Sequence, residues 1–127
     1  MGIIEWNDDF GLGIDELDRD HIMWIDMYNA LYRAAQAGTD KSTLMMSFDE
    51  LLSHTRFHFI NEDAFMEEKG LEGAREHKAE HAKMLRQMNE LRKGLQEAKT
   101  QETIIETLIV LRDWLVQHIL ESDRELT

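Results

Sequence analysis

No proline interrupts this chain, and its apolar residues recur three and four positions apart in four separate stretches. Proline removes a helical hydrogen bond and its ring clashes with the preceding turn, so its absence permits long unbroken helices, and the helical period asks for them. The first stretch runs from Asp18 with His21, Trp24, Ile25, Tyr28, Leu31 and Tyr32 on one face, until Gly38 supplies a stop. The second follows a cap at Asp40 or Ser42 and carries Leu44, Phe48, Leu51, Thr55, His58, Glu62 and Phe65 toward Gly70. It is expected to hold roughly 28 residues, about 42 Å of helix. The third opens around Gly73 and presents His77, His81, Met84, Met88, Leu91 and Leu95, with Gly94 a weak point near its end. The fourth, capped by Thr100 or Thr103, aligns Ile104, Leu108, Leu111, Leu115 and His118 and frays near Glu121 to Asp123.

A helix with one apolar stripe needs partners to bury it. Four such helices with short connections and no strand signal predict an all-α, antiparallel up-down-up-down four-helix bundle over residues 18–123. Residues 1–17 lack a sustained period and are expected to form an extended arm that lays Trp6, Phe10 and Leu12 on the bundle. The 127 residues suit a single domain, 1–127, with a core of its own.

The formal charge is −12, from 26 acidic and 14 basic residues, which repels phosphate backbones and anionic membrane surfaces, so nucleic acid is not an expected partner. There is no cysteine, so disulfides, thiolate ligands and cysteine nucleophiles are excluded and any metal must be held by nitrogen and oxygen. No apolar run of about 18 residues is present to span a membrane. Residues Met1 to Phe10 contain acids and no apolar run, unlike a signal peptide, and a cytoplasmic location is expected.

Five of the six histidines, His21, His58, His77, His81 and His118, lie on the inward stripes. A single histidine on an apolar face is an ordinary core or boundary residue; five on facing stripes form a constellation. His77 and His81, in HKAEH, are spaced i, i+4 and stand one turn apart on the same face, where both can reach one ion. His58 and Glu62, in HFINE, repeat the spacing with one nitrogen and one oxygen. A buried carboxylate at Glu62 is costly without a cation or a hydrogen-bond network. His118 and Asp123 are five apart, which rotates them off one face of a straight helix: Asp123 is either a solvated acid or is turned inward by unwinding of the helix end. Five imidazoles, two bridging carboxylates and one bridging oxygen fill eleven of the twelve positions around two octahedral ions and leave one open. Imidazole with carboxylate suits iron, manganese or zinc, and spacing does not choose among them.

These pieces resemble the hemerythrins, especially the bacterial single-domain kind, over nearly the whole chain. The resemblance is carried by Trp6, GIDELDRDH ending at His21, HFINEDAFM from His58, HKAEH from His77 and WLVQHILESD from Trp114 to Asp123. It implies two iron ions joined by an oxo or hydroxo bridge. His77, His81 and His118 would complete one ion, His21 and His58 would hold the other, and Glu62 and Asp123 would bridge both. It implies further that dioxygen binds end-on at the two-histidine ion and leaves again as dioxygen. Five neutral imidazoles with two carboxylates donate less negative charge than the glutamate-rich sites of ferritin-like proteins, which favours ferrous iron and reversible binding.

A dry shell around the site is expected from Trp24, Phe59, Phe65, Met84, Leu115 and Ile119, with ordinary core packing as their role. His54 lies one turn before His58, but a sixth histidine would close the open position, so it is expected to support the site or sit at its boundary. The leading expectation is an oxygen carrier, store or local supplier and not an enzyme. The alternatives are an oxygen sensor acting through a partner, for which no second domain is seen, and a di-iron oxidase, peroxidase or nitric-oxide-reducing enzyme. An iron store and a metal-free bundle complete the set.

Overall fold

The computed structural model of the chain describes residues 2–6, 10–11 and 15–122, without the side chains of residues 15, 16, 121 and 122. Among them are four helices: α1 (Asp15–Gln36), α2 (Lys41–Lys69), α3 (Ala74–Glu97) and α4 (Gln101–Gln117). The last runs on into a π-helical turn, His118–Ser122. α1 packs on α2 and α4, and α3 packs on α2 and α4, which is the square arrangement of an up-down-up-down bundle.

The helix ends have local causes. Asp40 caps α2, its carboxylate accepting from the Thr43 backbone N–H at 3.2 Å and the Thr43 hydroxyl at 3.0 Å. Thr100 caps α4, its hydroxyl accepting from the Thr103 N–H at 3.1 Å. α2 stops at Gly70, whose φ of 63° is the left-handed conformation that closes helices and disfavours side chains. Gly94 does not end α3, which continues to Glu97.

α1 begins at Asp15, three residues ahead of the expected Asp18. The reason is Leu17, which is buried against Met66 with Phe65, Leu71 and Ala74 packed around the pair. It extends the His21 stripe by one turn and seats the start of α1 on the end of α2. Phe65, expected on the inward stripe, is only half-buried, and Met66 takes the interior position.

In the arm, Ile4 and Phe10 are buried and Trp6 is partly exposed; Leu12 lies outside the described residues. Both backbone polar groups of Ile4 are held by Asn29, whose side-chain oxygen accepts from the Ile4 N–H and whose amide donates to the Ile4 carbonyl, each at 2.7 Å. The Tyr28 hydroxyl reaches the Gly2 carbonyl at 2.8 Å and the Leu108 carbonyl at 3.0 Å, tying arm, α1 and α4 together. Gly2 packs so closely that a Cβ there would run into the Tyr32 ring. The main core, with Trp24, Tyr28, Leu31, Phe48, Leu51, Met88, Leu95, Leu108, Leu111 and Leu115 all but sealed from solvent, runs along the bundle axis. Among the described residues no helix is long and apolar enough to cross a membrane.

Candidate metal centre

All four helices deliver polar side chains to the same end of the bundle: His21 from the start of α1, His58 and Glu62 from the last turns of α2, His77 and His81 from the start of α3, and His118 just past α4. Antiparallel order brings these stretches level. His21, His58, Glu62 and His77 are fully buried, and His81 and His118 nearly so.

Glu62 is the hub. Its Oε2 lies 2.7 Å from His58 Nε2 and 3.2 Å from His21 Nε2. Its Oε1 lies 3.0 Å from His81 Nε2, 3.4 Å from His77 Nε2 and 3.8 Å from His118 Nε2. The donors therefore divide into two groups, His21 with His58 and His77 with His81 and His118, each sharing Glu62 and each with its atoms within 4.8 Å of one another. Burial pushes the Glu62 carboxyl up, but hydrogen bonds from His118, His21, His58 and His77 outweigh it and hold the group well below the ordinary carboxylate range. Glu62 is an anion in a dry interior.

The ring nitrogens are arranged for a cation. His81 Nδ1 donates to Asp63 Oδ1 at 3.0 Å, so in the neutral ring Nε2 bears the lone pair. That buried Nε2 makes no hydrogen bond within the protein and faces the Glu62 oxygen at 3.0 Å. Two lone pairs at that separation repel unless a positive ion draws both. His21 Nε2 and His58 Nε2 approach each other to 3.0 Å as well. Neutral imidazoles and a carboxylate are the donor set of iron, manganese and zinc, so the residues fit a two-metal site.

Aromatic rings fix the imidazole planes. Phe59 stacks on His81 with centroids 3.8 Å apart and planes within 4°. Trp24 lies 4.9 Å from His58 and 5.9 Å from His118, and its indole N–H donates to the Thr55 hydroxyl at 2.8 Å. Met84, Leu115 and Ile119 are buried nearby as the sequence implied.

Six of the seven expected metal residues thus converge; the seventh, Asp123, lies outside the described residues. His54 is in neither donor group and donates from Nε2 to the Asp20 backbone carbonyl at 3.2 Å on the α1–α2 seam. Sequence reasoning missed two acids. Asp63 holds His81, and Asp20 Oδ2 accepts from His58 Nδ1 at 3.5 Å and from Asn61 at 3.3 Å. Each is adjacent in sequence to an expected metal residue, Glu62 or His21, and that adjacency was the available signal.

Known proteins decide the family. The model of the hemerythrin HHE cation binding domain matches residues 12–127. The chain belongs to the hemerythrin family. A bacteriohemerythrin of Stenotrophomonas maltophilia is 31% identical over 124 residues, 98% of this chain and 79% of that protein. Another, of Methylococcus capsulatus, is 31% identical over 125 residues, 98% of this chain and 94% of its own length. A crystal structure of wild-type hemerythrin superimposes with a TM-score of 0.84 at 31% identity, covering 95% of this chain and 92% of the other. The hemerythrin fold explains why ligand-type residues gather at one end: each of the four helices crosses the site once.

Proposed function

We propose that this hemerythrin binds dioxygen reversibly at a non-haem di-iron centre and serves as an oxygen carrier, store or local supplier. The observation that carries the reading is the uneven division of five buried imidazoles about the two oxygens of one buried carboxylate, three on one side and two on the other. His77, His81 and His118 would hold one iron and His21 and His58 the second, with Glu62 spanning both. When bound, a ferrous pair supplies the two electrons that a reversible oxygen adduct requires.

The chain's own residues do the rest. The two-histidine side has fewer protein donors, so it is the side with room for an exogenous ligand. Trp24, Phe59, Leu115 and Ile119 are buried around the site and exclude water, which strengthens the electrostatics inside. Neutral imidazoles outnumber carboxylates, which keeps the pocket from stabilising highly oxidised iron.

Asp123 as a second bridge is supported by the winding of His118–Ser122. In a straight α-helix, five residues at about 100° each leave Asp123 about 140° around the axis from His118. A π-helical turn, with its i→i+5 pattern, brings a residue five positions on back over the first.

The test is to add oxygen to the anaerobic ferrous protein, record the ultraviolet-visible spectrum and then remove the oxygen. A charge-transfer band that appears and vanishes over repeated cycles is the expected result. A band decaying to a stable ferric product while reductant is consumed contradicts it in favour of an enzyme. Metal analysis giving far fewer than two irons per chain overturns both.

A further inference from the structure

We propose that Asp63, which is not one of the expected metal ligands, is the positioning residue of the three-histidine metal position: it fixes the tautomer of His81 and, with Phe59, the plane of its ring. This rests on the ligand set proposed above and adds a residue to it. A neutral imidazole binds a metal through whichever nitrogen lacks the proton, so the partner of the other nitrogen sets which lone pair is available. Asp63 Oδ1 accepts a hydrogen bond from His81 Nδ1–H at 3.0 Å, leaving the Nε2 lone pair beside Glu62 to face a metal. Phe59, stacked at 3.8 Å, leaves the ring little freedom to rotate out of that plane. Glu62 and Asp63 are consecutive on α2, so one helical turn presents the shared carboxylate and the brace together.

On the two-histidine side the corresponding acid contact is longer. Asp20 meets His58 Nδ1 only at 3.5 Å and divides its oxygen with Asn61. Asp63 makes the shorter contact, and its side chain is only 17% exposed.

Anaerobic cobalt(II) titration of the metal-free protein, with visible spectra and a competing chelator, tests this without any oxygen chemistry. D63L is expected to weaken one of the two cobalt equivalents about 10- to 100-fold while leaving the other near the parent value. D63N keeps an acceptor for the Nδ1 proton and should recover most of that loss. D49N, which removes an exposed acid remote from the site, controls for the change in charge and should match the parent. Nitrogen-15 spectra of the zinc-loaded parent should place the His81 proton on Nδ1, a readout that does not depend on any variant folding. Parent-like cobalt affinity in D63L, equal losses in D63L and D63N, or a His81 proton on Nε2 would each overturn the proposal. A parent that fails to bind two cobalt ions overturns the ligand set and this proposal with it.

Discussion

The two ends of the bundle solve opposite problems. At the end bearing the α1–α2 and α3–α4 connections, Leu31, Leu44, Phe48, Leu95, Leu108 and Leu111 meet in a core without buried charge. Each such side chain contributes about 1.5–3 kcal/mol by leaving water, so packing, with the caps at Asp40 and Thr100, stabilises this end without a buried ion. At the other end, the same four helices bury five histidines and an ionised glutamate. There, desolvation works against folding; the hydrogen bonds between Glu62 and the histidines offset part of it, and the Coulomb attraction of a bound cation would offset more. One half is held by apolar packing while the other presents the ligand-type residues.

The largest effect should come from Glu62, the residue common to both donor groups. Glu62→Leu is expected to abolish binding of both ions, read by iron analysis after anaerobic loading. Because it also breaks the hydrogen bonds that hold the Glu62 carboxylate ionised, the metal-free variant should melt below the metal-free parent as well. An unchanged melting temperature of the metal-free variant would mean that the carboxylate contributes to the fold only through the metal.

Next comes the apolar end. Leu108→Ala should cost about 2–5 kcal/mol in urea unfolding, by lost transfer energy and the cavity left behind. The cost should be the same with and without iron, since Leu108 belongs to the half that does not depend on it. A cost present only in the loaded protein would erase the distinction between the halves.

The smallest effect concerns acid. Asp49 is held below its ordinary pKa chiefly by its hydrogen bond with Arg92, whose Nη2 lies 3.1 Å from Oδ2. A depressed folded value stabilises the protein above the unfolded pKa of about 4 and is lost as the pH falls through the lower folded value. The pair is exposed, so Asp49→Asn should flatten the acid limb of the metal-free protein's stability curve only slightly. Equilibrium urea melts across that limb would detect it.

The apolar end was almost fully legible in the sequence, because helical periodicity and burial are the same information there: Leu44, Phe48, Leu108 and Leu111 fall inside as the period requires. The convergence of His21, His58, Glu62, His77, His81 and His118 was legible too, since each sits on its helix's inward stripe. The start of α1 was not, because Leu17 is a single apolar residue among acids and its burial depends on Met66, 49 positions away. Asp20 and Asp63 were also hidden. Acids at the edge of a stripe look like solvated surface until the neighbouring helix supplies a ring nitrogen, and that partner is a tertiary fact. The π-helical turn at His118 leaves no mark in composition, and the five-residue gap to Asp123 fits a solvated acid as well as an unwound helix end.

Residue-resolved hydrogen exchange of the metal-free protein against the protein loaded with two ferrous ions is the most direct test of the division between the halves. Loading should raise protection around His21, His58, Glu62, His77 and His81, while amides around Phe48, Leu95 and Leu108 keep the protection they already have. Equal protection of both halves before and after loading would contradict the account, because the site end would then gain nothing from the ions it is proposed to hold.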